Sequence, residues 1–143
     1  MLRGIDPIIG PDLLFTLRAM GHGDEITIVD ANFPALAMAK RLIRMDGHDA
    51  VRVTDAILSL MPLDRFAPDE TAIRMEVVGD PAAEPAVCTL FQNVIDNRDP
   101  GYKLAKLERF AFYERAKQSF AIVATGERRL YGNVILKMGV IDP

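Results

Sequence analysis

A histidine held between two glycines, Gly21-His22-Gly23, and an aspartate eight positions on, Asp30, are the residues of this chain best suited to proton-transfer chemistry. Histidine titrates near neutral pH and can both give and take a proton. His22 follows a segment of helical periodicity, whose carboxyl-terminal dipole favours the imidazolium, and the flanking glycines leave backbone room for a ligand. Asp30 closes a short apolar run, 25–29, and ligands of α/β sheets gather at the carboxyl ends of strands. Each residue also has a purely structural reading: His22 as a capping residue in a turn, and Asp30 as the start of an Asx turn into Asn32-Phe33-Pro34.

Two further groups suit a polyhydroxyl ligand. Arg109 offers a planar fork of donors for paired hydroxyls, although an ion pair with Glu108 or Glu114 would occupy it. Tyr131-Gly132-Asn133 combines a ring for stacking, close backbone approach and an amide that donates and accepts. Its structural reading is a tight turn between two strands.

The elements that must position these residues follow from hydrophobic spacing. Apolar residues at 13, 14, 17 and 20 behind Pro11 predict a helix stopped by Gly21. The isoleucine- and valine-rich run 25–29 predicts a buried strand, and 41–45 a second one before Asp46-Gly47, with 35–40 left unassigned. A helix is expected over 53–61 with Thr54 or Asp55 as its cap and Pro62 as its stop. Residues 72–78 alternate apolar and charged types, which predicts a strand with one solvated face. A loop at 80–85, a helix over 86–95, a further helix over 107–117 with extended first residues, and strands over 120–125 and 134–141 complete the chain. The expected fold is a single α/β domain, residues 1–143, with a mostly parallel mixed sheet covered by helices on both faces. The last two strands are too close in sequence for a helical crossover and are expected to pair antiparallel.

Composition removes several function classes. With 143 residues, half of them hydrophobic, the chain is long enough for one real core. A formal net charge of −3 gives no electrostatic case for nucleic acid or an anionic membrane. No stretch approaches the roughly 20 apolar residues of a membrane span, and the first residues do not resemble a secretory leader, so a cytoplasmic location is expected. Neither a dinucleotide fingerprint nor a P-loop is present. Two histidines and one cysteine, Cys88 on an apolar helix face, do not make a metal site, and a serine nucleophile elbow is lacking. No cofactor is expected.

The ordered set Met20-Gly21-His22-Gly23-Asp24-Glu25, Asp30-Ala31-Asn32-Phe33-Pro34-Ala35, Arg44-Met45-Asp46-Gly47, Arg109-Phe110-Ala111-Phe112-Tyr113-Glu114-Arg115-Ala116, Thr125-Gly126-Glu127 and Tyr131-Gly132-Asn133-Val134-Ile135-Leu136-Lys137 resembles the L-fucose mutarotase and D-ribose pyranase family, nearer its fucose branch. The resemblance covers nearly the whole chain. It implies cofactor-free interconversion of the anomers of a free monosaccharide, L-fucose first, with His22 as proton donor and Asp30, Arg109, Tyr131, Gly132 and Asn133 binding the sugar. It leaves the base open among Asp30, Tyr131 and a water. It also implies a ring-like homo-oligomer such as a decamer. The alternatives are pyranase-type activity on another sugar, a non-catalytic sugar-binding transport accessory, and a purely structural assembly protein.

The chain departs from the fucose pattern after Ala35, where Leu36-Ala37 stand in place of the histidine and serine common in that branch. The departure adjoins Asp30 and bears on the identity of the sugar. Geometry adds a constraint of its own. Fully extended, residues 22 to 30 would separate His22 from Asp30 by up to roughly 26–29 Å, far more than a monosaccharide spans. Either the glycine-flanked loop folds back beside the strand, or His22 of one subunit meets the remaining site residues of a neighbour; with the resemblance to ring-forming oligomers, the shared site is expected.

Overall fold

The computed structural model describes residues 1–143. Six strands form one sheet: β1 (Glu25–Val29), β2 (Leu42–Met45), β3 (Ala72–Met75), β4 (Ala105–Leu107), β5 (Ala121–Thr125) and β6 (Val134–Lys137). Their spatial order is β2-β5-β1-β6-β3-β4. The pairs β2·β5, β5·β1 and β3·β4 are parallel, and β6 alone runs antiparallel, between β1 and β3. The five parallel strands consequently end at one edge of the sheet, the edge at which β6 begins.

The helices α1 (Pro11–Ala19), α2 (Ala35–Met38), α3 (Ala50–Leu58), α4 (Ala86–Arg98) and α5 (Arg109–Gln118) cover both faces. Side chains alternate across a strand, so one strand feeds two cores. Ile26 and Ile28 of β1 join Leu13, Leu17, Val53, Ile57, Phe91 and Ile95 from α1, α3 and α4. Val29 joins Ala35, Phe112 and Ala116 from α2 and α5 on the opposite face. Thr27, also on that face, is fully buried, and its hydroxyl meets that of Ser119 at 2.5 Å.

The expected α/β architecture is observed, with four local corrections. The helix expected over 53–61 runs over Ala50–Leu58, and Asp49 rather than Thr54 or Asp55 is its cap, accepting from the Arg52 N–H at 2.8 Å. Thr54 is buried on the core side, and Asp55 instead pairs with Arg98 of α4. Residues 35–38 form a single helical turn.

The strand at 72–75 has no solvated face, because it lies between β6 and β4 under two helical layers. Arg74 is 1% exposed, donating to the carbonyls of Met75 at 3.2 Å and Ala83 at 3.1 Å and pairing with Glu84 at 3.0 Å. Its alternation with apolar neighbours marks a buried, neutralised charge. Finally, β5 and β6 do not pair with each other. The connection through Gly126 to Asn133 is long enough to step over β1, a displacement of two strand spacings or about 10 Å.

Candidate functional site

The carboxyl edge of the sheet collects the first set of candidates. Asp30 follows β1 directly, and Asn133 precedes β6, so antiparallel pairing sets them side by side. Asn133 Nδ2 donates to Asp30 Oδ2 at 2.9 Å, and its Oδ1 accepts from the Asp30 N–H at 2.9 Å. The amide thus does both of its jobs on Asp30. The Asx turn is also present, with the Asn32 N–H on Asp30 Oδ1 at 2.9 Å, so the structural and pocket-lining readings of Asp30 hold together. Burial pushes the Asp30 carboxyl above the usual range, against donors from Asn32, Asn133 and Phe33, and the charge of Glu127 adds to the rise.

Tyr131 and Gly132 arrive by the loop that steps over β1, and the hairpin turn expected between neighbouring strands does not form. Tyr131 has φ +65°, a left-handed conformation that costs a non-glycine residue about 1–3 kcal/mol. Its phenol oxygen accepts from the Val78 N–H at 3.1 Å, leaving the phenol proton free to donate into the cleft. Gly132 answers a close approach: an added Cβ would sit 2.5 Å from Glu127 Cγ and 3.2 Å from the Arg129 carbonyl.

Arg109 opens α5. Neither acidic neighbour takes it, since Glu108 caps the helix by accepting from Phe110 and Ala111, and Glu114 pairs with Lys117. Its Nε donates to the Tyr113 hydroxyl at 3.2 Å, and the rest of the fork is free in an exposed position. That hydrogen bond raises the guanidinium still further above neutrality.

Asp30, Arg109, Tyr131 and Asn133 line one cleft of about 170 Å³, which Phe33, Met75 and Tyr113 close with apolar and aromatic surface. Gly132 does not line the cleft itself but lies between two residues that do, Tyr131 and Asn133. A second, wider cleft of about 660 Å³ shares Asp30 and Phe33 and is lined by Leu36 and Ala37, so the departure from the fucose pattern lies next door to the first cleft.

His22 is at the other edge. It sits in a turn closed by the Asp24 N–H on the Gly21 carbonyl and the Gly21 N–H on Asp24 Oδ2, and Gly23 takes φ +85°. Its Nε2 lies 3.2 Å from Asp64 Oδ1, and its ring meets Phe66 edge-on at 5.6 Å. The imidazole is 48% exposed, whereas the Asp64 side chain is 6% exposed. Burial opposes ionisation of Asp64, but the Phe66 N–H, the hydrogen bond to His22 and the charge of Lys137 outweigh it and hold the carboxyl below the usual range. The hydrogen bond to this buried acid fixes the orientation of the half-exposed imidazole.

Within one chain, then, the structure brings together Asp30, Arg109, Tyr131, Gly132 and Asn133 and leaves His22 apart. Asp64 and Tyr113 escaped the sequence reading. Asp64 lies in an irregular stretch where nothing marks it, whereas Tyr113 was legible as the residue one helical turn beyond Arg109. No group of three or more histidine, cysteine or acidic side chains stands close enough to hold a metal ion. No helix is long and apolar enough to cross a membrane.

Comparison with known proteins places these features in context. The family described as the RbsD / FucU transport protein family matches residues 3–141. The fucose mutarotase of Mus musculus is 43% identical over 146 aligned residues, spanning 99% of this chain and 95% of that protein. Among solved structures, the fucose mutarotase of Streptococcus pneumoniae in complex with L-fucose is 44% identical, covers 99% of this chain and 100% of its own, and superposes with a TM-score of 0.92. FucU of Bifidobacterium longum is 42% identical, with 98% and 100% of the two chains covered and a TM-score of 0.89. RbsD of Bacillus subtilis, complexed with D-ribose, shares the fold at 20% identity and a TM-score of 0.75, covering 99% and 100%.

Proposed function

The chain belongs to the RbsD / FucU transport protein family, and from that membership and the two sheet edges we propose that it is a sugar mutarotase. It is an isomerase that interconverts the α and β anomers of a free monosaccharide, with L-fucose as the substrate. One observation carries the reading: a monosaccharide-sized cleft lined by a carboxylate, a guanidinium, a phenol and an aromatic wall, in a chain whose other sheet edge holds an imidazole backed by an ionised acid. Identity above 40% to two fucose mutarotases, one bound to L-fucose, supports the choice of sugar.

Opening a cyclic hemiacetal requires a proton for the ring oxygen and removal of one from the anomeric hydroxyl. His22, oriented by Asp64, supplies the first, and Asp30, Tyr131 or a water takes the second. Asp30 accepts from sugar hydroxyls, Arg109 and Tyr131 donate to them, and Asn133 with Gly132 holds Asp30 in place. Rotation about C1–C2 and reclosure complete the exchange. Positioned acid–base groups contribute roughly 10²–10⁴-fold, enough for a reaction that already proceeds unaided in water. Nothing in this scheme requires a metal or nucleotide.

The five residues of β1 hold the two edges roughly 17 Å apart, too far for one sugar to touch both. This separation supports a site shared between subunits, and with the family resemblance we take the functional unit to be a ring-like cytoplasmic homo-oligomer, such as a decamer, in which His22 of one subunit completes the cleft of the next. Exposed Phe66 beside His22, and Phe110 and Leu130 around the cleft, are apolar surface suited to such a contact.

NMR measurement of anomer exchange across L-fucose, D-ribose, L-rhamnose and D-galactose tests the activity, with acceleration expected for L-fucose above the others. No acceleration for any of these sugars would leave a sugar-binding transport accessory as the better reading. Mixing His22→Ala subunits with Asp30→Ala subunits tests the shared site: complementary halves restore activity only if they meet between chains.

A further inference from the structure

Glu127 is a buried acid that the mechanism above does not use. Its exposure is 2%. Its carboxylate accepts from the Ala50 N–H at the start of α3 at 3.3 Å, from the Arg129 N–H at 2.9 Å, and from the Arg129 guanidinium at 2.8 and 2.7 Å. Its carbonyl accepts from the N–H of Ala31, the residue after Asp30, at 2.9 Å. Its own N–H donates to the Thr125 hydroxyl, which in turn donates to the Val29 carbonyl, the residue before Asp30. Its Cγ is the atom against which Gly132 packs. The backbone of Glu127, with the Thr125 hydroxyl, thus grips Asp30 on both sides, while its side chain ties the start of α3 to Arg129 and packs against Gly132.

We propose that Glu127 is a positioning residue for sugar binding: it ties the ends of β1 and β5, the start of α3 and the Gly132 arch into one floor, and sets its charge against Asp30. The proposal rests on the assignment of the Asp30 cleft as the sugar site. A surface acid would be screened from Asp30, but a buried one acts through a medium of low effective dielectric. Other charges also face Asp30. Arg109 and Tyr113 look across the cleft from α5, and Tyr131 lies beside it. Arg44 and Asp46, at the end of β2, line the adjoining cleft as a mutually neutralising pair at 2.5 Å. Behind Glu127 stand Arg129, which pairs with it, and Asp49, 3.9 Å from Arg129. His48 contributes only its carbonyl there, to the Gly126 N–H.

The consequence has a sign. Burial raises the point at which Asp30 titrates, and the negative charge of Glu127 raises it further. Glu127→Gln removes that charge and moves the Asp30 midpoint to lower pH. Arg129→Gln, at a 41% exposed side chain, uncovers the charge and moves it to higher pH. If ionised Asp30 holds the sugar, affinity is lost as pH falls through each midpoint.

The test is a ¹³C NMR titration of the Asp30 carboxyl in wild type, Glu127→Gln and Arg129→Gln, without sugar, followed by L-fucose dissociation constants at pH 8. Opposite displacements of the midpoint, together with roughly tenfold weaker L-fucose binding in Glu127→Gln from loss of a charge-assisted tether, are expected. Coincident midpoints in the three proteins overturn the proposal, as does unchanged affinity in Glu127→Gln. Should Glu127→Gln fail to fold, the Arg129→Gln midpoint decides alone. Because the titration uses neither sugar nor turnover, a failure of the mutarotase reading is seen separately, as absent anomer exchange in the wild type.

Discussion

The two edges of the sheet each carry a buried carboxylate, and the two are driven in opposite directions. Asp64, behind His22, is kept ionised by the Phe66 N–H, the imidazole and Lys137 despite its burial. Asp30, in the cleft, receives neutral donors and faces Glu127, so burial prevails and its proton is held more tightly. Low exposure alone therefore does not decide the state of an acid; the depth of its burial, its hydrogen-bond donors and the charges around it do so together. The edges differ in rigidity as well. Asp30 is locked by a reciprocal pair with Asn133 and by flanking backbone bonds, whereas His22 rests on one hydrogen bond and an edge-on ring. On the proposed function, one edge holds the sugar in register and the other presents a proton to the cleft of a neighbouring chain.

The comparison breaks most visibly at His22. His22→Ala should lower anomer exchange by roughly 10²–10⁴-fold while the L-fucose dissociation constant changes little, as measured by exchange NMR and calorimetry. Comparable loss of binding would mean that the two edges do not divide the labour. Asp30→Asn should act the other way, weakening binding by about 1.5–3 kcal/mol, or roughly 10- to 150-fold, through loss of a charged acceptor.

Asp64→Asn sharpens the contrast between the acids. Exchange should fall on the order of tenfold, because the ring loses the carboxylate acceptor that orients it. Stability provides a second reading. Asp64 has a folded midpoint below its unfolded value, so it contributes stability above roughly pH 4 that disappears as pH falls through the folded midpoint. Asp30, with a raised midpoint, does the reverse and favours the folded state increasingly as pH falls toward its unfolded value. Thermal melts from pH 7 to pH 3 should therefore show a smaller acid loss in Asp64→Asn than in wild type, and a larger one in Asp30→Asn. For Gly132→Ala, whose new methyl meets Glu127 Cγ at 2.5 Å, the effect expected is on stability. Overpacking of this kind costs about 1–3 kcal/mol and should lower the melting temperature by several degrees.

Local chemistry determined much of this protein from sequence alone. Pro11 and Gly21 bound the first helix, period-two and continuous apolar runs mark the strands, and His22, Asp30, Arg109 and Tyr131-Gly132-Asn133 stand out by residue type and spacing. The incompatible distance from His22 to Asp30 was likewise legible, because the rise of a strand is a property of the backbone. What tertiary structure decided is which side chains meet. The position of β6 between β1 and β3, set by pairing across the sheet rather than by nearness in the chain, delivers Asn133 to Asp30. Burial on both faces turns Arg74 from an expected solvated charge into an interior one, and Asp64 reaches His22 across 42 positions. Glu127, part of a recognisable Thr125-Gly126-Glu127 motif, had no reading until the fold set it beneath Gly132 and beside Asp30. Hydrophobic periodicity records which face of an element is covered. It does not record which distant element covers it, and partner charges, hydrogen bonds and the protonation of buried acids depend on that second fact.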